Sequence, residues 1–205
     1  MCSPELRGQL ERFAKHSKFV GVRHVVHDEP DDEFMVRLDF RRGLAQPHEF
    51  GLTYDLLLFT KHLPVTAKLV AEFSTQKFVL DHLGKPRIGE KLFSPWQEAV
   101  KILAKFPNVH CILSGMVTET AWNQWKPEDF YSYLDIVFAT FGSDRLMIGS
   151  DWPVCNLSGD YATVMKIVTD YIAALPAAAR AKILGKNCAH FYNLKLGAET
   201  PAKSA

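Results

Sequence analysis

The sequence of 205 residues lacks the features of several protein classes. Its formal net charge of +1 leaves no basic excess, so we expect neither nucleic acid nor an anionic membrane surface as a partner. Its longest apolar runs, such as residues 55–59, are far shorter than the roughly 20 residues of a membrane-spanning helix. Residues 1–5 contain no basic segment followed by an apolar block, so we expect no secretory signal.

The sequence also has few cysteines, and none of them form a Cys-x-x-Cys motif. The four are Cys2, Cys111, Cys155 and Cys188, widely separated along the chain. This spacing is typical of reduced thiols in a cytoplasmic protein rather than of a disulfide framework or a thiolate metal site.

What is present is the composition of a compact α/β domain. The 47% hydrophobic and 23% charged residues exclude a disordered chain, and we expect one domain over residues 1–195. Residues 196–205 are polar with nothing to bury, and we expect them to be disordered. Short apolar segments alternate with amphipathic helices, which favours parallel strands joined by helical crossovers. The strands are predicted at residues 19–26, 54–59, 77–83, 109–113 and 145–149.

Two local signals refine the helices. Ser94 to Gln97 reads as a capping box, with Ser94 as N-cap and Pro95 as the first helical residue. Pro47 is predicted to interrupt a helix over residues 39–51.

A complete (β/α)₈ barrel takes about 250 residues, so this chain has room for about six and a half of its units. Five recognisable strands leave two interpretations: an open doubly wound sheet, or a barrel without its opening units.

Polar residues follow the apolar strands at the carboxyl end of each strand. Because the carboxyl ends of parallel strands meet at one edge, these residues are expected to converge there. Taken singly, each is more often a turn residue, a helix cap or a buried hydrogen-bonded group than a catalytic residue or a ligand. The residues are Arg23, His24 and His27 after the first strand, Asp81 and His82 after the third, Ser114 after the fourth, and Asp151 and Trp152 after the fifth.

His82 and Asp151 form the chemically useful pair. A carboxylate accepts a proton from water, and an imidazole donates a hydrogen bond to a carbonyl oxygen. Both also bind divalent metals such as zinc, although a catalytic zinc has three protein ligands and this pair supplies two. Arg23 is suited to an oxyanion or a carboxylate. The set indicates hydrolysis of an ester-like carbonyl.

The ordered motifs resemble the amidohydrolase-related sugar lactonases, of the L-fuconolactonase and L-rhamnonolactonase type. The resemblance covers residues 3–194. It is carried by Gly-Val-Arg-His at 21–24, His-Asp-Glu-Pro-Asp at 27–31, Gly-Leu-Thr-Tyr-Asp at 51–55, Asp-His-Leu-Gly-Lys-Pro at 81–86, Leu-Ser-Gly at 113–115, Gly-Ser-Asp-Trp-Pro at 149–153 and Asn-Cys-Ala-His-Phe-Tyr at 187–192.

The resemblance implies a metal-dependent hydrolase type of (β/α)₈ (TIM) barrel and hydrolysis of a sugar lactone, a carboxylic ester, to its aldonic acid. Asp151 would activate water, and His82 would bind the metal or polarise the carbonyl. Substrate contacts would be Arg23, His24, His27 and Ser114, with Trp152 beside the pocket. Zinc or another divalent metal is used by some relatives and not by others, so both cases stay open.

One departure from the family pattern shapes the alternatives. Relatives open with a His-x-His strand, which this chain lacks, so we read its strands as four to eight of the barrel, with one to three missing. Either the chain is an incomplete form of a lactonase, with little or no turnover as given, or it is a non-catalytic truncated paralogue that acts as a binding or pairing module. Open sheet edges would then favour self-association. A doubly wound binding protein is the third alternative, but the Gly-rich phosphate turn that it needs is absent.

Overall fold

The computed structural model describes residues 1–194, and the predicted disordered tail lies outside the described residues. Five parallel strands form one sheet in the order β1-β2-β3-β4-β5, so each strand pairs with its neighbours in the chain. A doubly wound sheet reverses its strand order at a switch point, and this sheet does not. The unbroken order is that of a barrel. The strands are β1 (Gly21–Val25), β2 (Thr53–Leu57), β3 (Phe78–Leu80), β4 (Val109–Leu113) and β5 (Leu146–Ile148).

The helices alternate with these strands along the chain. No helix within residues 1–194 is long and apolar enough to cross a membrane. The helices are α1 (Leu6–Phe13), α2 (Leu38–Glu49), α3 (Leu63–Glu72), α4 (Trp96–Leu103), α5 (Glu128–Phe141), α6 (Tyr161–Tyr171), α7 (Ala177–Ala181) and α8 (Asn187–Phe191).

Two predictions about the helices were wrong. Helix α2 runs through Pro47, because this residue lies in the last turn and the helix ends at Glu49, where the missing N–H removes only one late hydrogen bond. The Pro47 carbonyl instead accepts the N–H groups of Phe50 and Leu52, which closes the helix. The capping box before α4 does not form. Pro95 itself takes the N-cap position and no side chain caps the helix, so Ser94 lies one residue too early.

The outer face of the sheet packs against the helices through a row of aromatic rings. Phe34, Phe40, Tyr54 and Phe78 contact one another in sequence, with ring centroids 5.3, 6.2 and 6.1 Å apart in edge-to-face arrangements. Each such contact is worth about 0.5–1.5 kcal/mol beyond the apolar area that it buries. This face therefore fixes the strands as a rigid base for the loops at their ends.

The inner face carries polar residues as well as apolar ones. Arg23, Asp55 and Val79 occupy matching positions on β1, β2 and β3, so their side chains project to the same side. Helix α8 and the residue after it cover part of this face. The Tyr192 hydroxyl donates to Asp55 Oδ1 at 3.2 Å, and the Phe191 ring lies against Val79.

Candidate functional site

The turn that follows β3 holds the residue at the centre of the candidate site. We predicted a strand to residue 83, but β3 ends at Leu80, because His82 and Leu83 adopt left-handed backbone angles (φ 54° and 55°). Such angles cost non-glycine residues about 1–3 kcal/mol each, so surrounding contacts must hold the turn. Trp96 Nε1 donates to the Leu83 carbonyl at 2.7 Å, and Thr60 Oγ1 donates to the Lys85 carbonyl at 2.9 Å.

His82 bridges the ends of β4 and β5. Its Nδ1 lies 2.8 Å from Ser114 Oγ, and its Nε2 lies 3.5 Å from Asp151 Oδ1. Gly115 leaves the space that the ring occupies: a Cβ at this position would lie 2.6 Å from His82 Cγ. The structure thus brings together three of the predicted site residues, from three different strand ends.

Burial sets the protonation of this pair. It lowers the pKa of His82 to about 3, with smaller contributions from the Lys85 and Arg23 charges, so the imidazole is neutral near pH 7. Burial also raises the pKa of Asp151, and the nearby Asp81 carboxylate adds to the increase while Lys85 opposes it. A raised pKa makes a carboxylate a stronger base.

The neutral imidazole carries one N–H. If the Ser114 hydroxyl donates to Nδ1, the proton resides on Nε2 and faces the Asp151 carboxylate, which favours that arrangement electrostatically. Ser114 is buried, so bulk water does not compete for this hydrogen bond.

Arg23 joins the same group of charges through Asp81. Its Nη1 donates to Asp81 Oδ2 at 3.2 Å; the aspartate side chain is 3% exposed and that of the arginine 48%. Burial raises the pKa of Asp81, and the Arg23 charge acts against this increase. One edge of the guanidinium is therefore anchored to Asp81, while about half of the arginine side chain stays exposed.

The two predicted histidines of β1 and its loop lie in different places. His24 projects from the outer face, where it stacks on Phe34 at 5.0 Å and its Nε2 contacts Glu29 Oε1 at 2.6 Å, so the structure does not bring it to Arg23. His27 lies at the carboxyl edge and stacks on Phe59 at 5.0 Å. Its pKa is lowered, first by burial. Side chains alternate between the two faces along β1, so His24 and Arg23 project from opposite faces of the sheet.

Trp152 lies at the rim, with 64% of its surface exposed. A second charged pair lies at this edge and was not predicted from the sequence: Lys85 Nζ donates to Glu119 Oε1 at 2.7 Å, and both side chains are mostly buried. Lys85 lies within the motif at residues 81–86, which could have drawn attention to it. Glu119 had no such signal.

A family model described as amidohydrolase matches residues 4–194. The chain belongs to the amidohydrolase family. It is 35% identical over 203 residues to an L-fucono-1,5-lactonase of Burkholderia multivorans, covering 94% of this chain and 68% of that protein. An L-fucono-1,5-lactonase of Burkholderia ambifaria is 31% identical over 200 residues, covering 94% of this chain and 67% of that protein.

A crystal structure supports the same relationship. An amidohydrolase from Burkholderia multivorans with bound zinc superposes with a TM-score of 0.89 at 35% identity, covering 95% of this chain and 71% of that one. The fold is therefore α/β, with five adjacent strands of the amidohydrolase TIM barrel.

The zinc in that relative raises the question of whether this chain offers a matching donor set. A catalytic zinc normally has three protein ligands. Within residues 1–194 no three His, Cys, Asp or Glu side chains are grouped closely enough to hold a metal ion. His82 and Asp151 supply two donors, so the described residues do not fit a complete amidohydrolase metal site.

Proposed function

We propose that the chain hydrolyses a sugar lactone, such as L-fucono-1,5-lactone, to its aldonic acid. The observation that carries this proposal is the contact between His82 Nε2 and Asp151 Oδ1, with Arg23 on the same side of the sheet. The identity to two L-fucono-1,5-lactonases supports this choice of substrate. Four cysteines without a disulfide support the cytoplasm as the place of the reaction.

Asp151 is proposed as the general base. Its carboxylate takes a proton from water as the water oxygen attacks the lactone carbonyl carbon. When the tetrahedral intermediate collapses, the ring C–O bond breaks, and Asp151 returns the proton to the leaving ring oxygen. Lactone and water then become a hydroxy acid, and Asp151 is ionised again. A positioned base of this kind contributes about 10²–10⁴-fold to the rate.

His82 and Arg23 are proposed to stabilise the negative charge that forms on the carbonyl oxygen. The His82 Nε2–H and the free N–H groups of Arg23 are donors in a partly buried site, where hydrogen bonds to an anion are strong. Ser114 holds the His82 ring by its other nitrogen. His27 and Trp152, at the same edge, are proposed substrate contacts.

Acid release from L-fucono-1,5-lactone, with spontaneous hydrolysis subtracted, tests the proposal. The proposed function predicts release above the spontaneous rate from the purified chain, whereas the alternative stated from the sequence predicts little or no turnover. Parallel samples with a chelator and with added Zn²⁺ test the two-donor set: a rate that requires Zn²⁺ would indicate a third ligand from outside the described residues. Enzyme-independent rates in every sample would contradict the proposal.

A binding or pairing module is the second candidate function. It is supported by the sheet, in which β1 and β5 of the described residues each pair on one side only. Unpaired strand edges recruit other chains. This candidate requires self-association or partner binding and no lactone turnover.

A further inference from the structure

The ion pair between Lys85 and Glu119 differs from the other lysine pairs of the described residues. Its side chains are 13% and 18% exposed, whereas the lysine in each other lysine–carboxylate pair is at least 44% exposed. Burying two charges carries a desolvation cost that their attraction often fails to recover. Stability alone is therefore a weak reason for such a pair.

The pair is held firmly in place. The Lys85 backbone adopts a left-handed conformation (φ 51°), fixed by the Thr60 hydroxyl on the Lys85 carbonyl. The Lys85 ammonium lies 5.6 Å from the centre of the Phe59 ring, which also stacks on His27. A cation near an aromatic ring in a partly buried site is stabilised by the ring electrons. The ammonium thus keeps one position although the lysine side chain is long.

Four separate loops bring these groups to the edge where Asp151 lies. Phe59 follows β2, Lys85 follows β3, Glu119 follows β4 and Asp151 follows β5. The Lys85 charge lowers the pKa values of both Asp151 and His82, and the Glu119 charge raises that of Asp151. The ion pair therefore lies within electrostatic reach of the proposed reacting groups.

We propose that Lys85 and Glu119 bind the ring hydroxyl groups of the substrate and select hydroxylated lactones over simple aliphatic ones. A sugar hydroxyl is both donor and acceptor, so it can accept from the ammonium and donate to the carboxylate. A site built to hydrogen-bond a hydroxyl strongly disfavours an analogue that lacks it, because the buried polar groups are then left unpaired. The identity of the ligand, a sugar ring, rests on the proposed function.

Binding of L-fucose tests the subsite without requiring turnover, since this sugar has ring hydroxyls and no lactone bond. Ligand-observed NMR titration should show saturable binding to the wild-type chain. The dissociation constant should increase at least tenfold in Lys85→Met and in Glu119→Gln, and stay within twofold in Lys182→Met, which breaks the exposed pair with Asp144. Glu119→Gln preserves the side-chain shape and decides the result if Lys85→Met does not fold.

Absence of L-fucose binding to the wild-type chain, or equal affinity in folded Glu119→Gln, would overturn the subsite. A chain that binds L-fucose through Lys85 but hydrolyses no lactone would retain the subsite and refute the proposed function.

If the chain hydrolyses lactones, steady-state kinetics provide a second test of the subsite. For L-fucono-1,5-lactone, Glu119→Gln should lower kcat/KM at least tenfold, mainly through KM. For δ-valerolactone, which has no ring hydroxyls, the loss in kcat/KM should be several-fold smaller, because only the Glu119 charge near Asp151 is lost and no hydrogen bond to the substrate. An equal loss for both lactones would mean that the pair only maintains the loops, and would overturn the proposal.

Discussion

His82 Nε2 lies 3.5 Å from Asp151 Oδ1, although the two residues follow different strands. The pair depends on β4, which lies between those strands and supplies Ser114 and Gly115 to the imidazole. The proposed chemistry is therefore sensitive to changes that never touch the substrate.

Gly115→Ala should remove lactone turnover. The new Cβ would lie 2.6 Å from His82 Cγ, and the backbone at Gly115 (φ 64°) disfavours any other residue. Gly142→Ala is the matched control: its φ is 66°, but a Cβ there meets nothing within 4 Å. Both substitutions place alanine at a positive φ, which lowers the free energy of unfolding by about 1–3 kcal/mol. Only Gly115→Ala displaces the imidazole.

Thermal melting and acid release on the two glycine variants separate these effects. We expect both proteins to melt at lower temperature and Gly142→Ala to keep its turnover. Full activity in Gly115→Ala would show that the position of His82 is unimportant.

Ser114→Ala should lower kcat about tenfold with little effect on KM. The substitution removes the partner of His82 Nδ1, leaving a buried ring nitrogen unpaired and the tautomer unspecified. Ser143→Ala, which removes an exposed hydroxyl bonded to Asp144, is the control. Steady-state kinetics check the prediction, and a kcat within twofold of the wild-type value would argue against it.

Asp55→Asn should change how stability depends on pH. Burial, assisted by the Asp81 charge, raises the pKa of Asp55 to about 7. The folded state therefore holds this proton more tightly than the unfolded state. Its stabilising contribution is present below pH 4 and is lost as the pH rises through 7. The asparagine cannot titrate, and its side-chain oxygen still accepts from Tyr192.

Denaturant unfolding at pH 4.5 and pH 8 measures this effect. Relative to the wild-type chain, Asp55→Asn should gain on the order of 2–4 kcal/mol between the two pH values. Parallel curves for the two proteins would show that Asp55 is not held in its protonated form.

Within residues 1–194, β1 and β5 each pair on one side only, and these edges predict self-association. Val25, at the end of β1, is 38% exposed, and an edge strand with apolar side chains recruits other strands. Sedimentation velocity over a range of concentrations should show species larger than a monomer, and Val25→Lys should reduce them. A monodisperse monomer at every concentration would contradict this prediction.

The sequence predicted the five strands, their parallel arrangement and the edge at which His82, Ser114 and Asp151 meet. These features follow from apolar periodicity and from the geometry of parallel sheets, which place strand ends together whatever the loops do. The alternation of side chains along a strand could also have predicted that His24 and Arg23 project from opposite faces of the sheet.

Other features depend on contacts that a single sequence does not reveal. The end of β3 is set by left-handed residues that Trp96 and Thr60 hold from distant elements. The partner of Lys85 is Glu119, from a different loop, and no spacing rule relates them. The helix through Pro47 forms because the helix ends two residues later, a boundary that propensity alone does not determine.

Replacement of Asp151 tests the central claim most directly. Asp151→Asn preserves the side-chain shape but removes the proposed base, and Asp144→Asn removes an exposed carboxylate as the control. The measurement is kcat/KM for L-fucono-1,5-lactone, corrected for spontaneous hydrolysis. We predict a decrease of about 10²–10⁴-fold in Asp151→Asn and none in Asp144→Asn. An Asp151→Asn variant that is folded and hydrolyses the lactone at the wild-type rate would contradict the account.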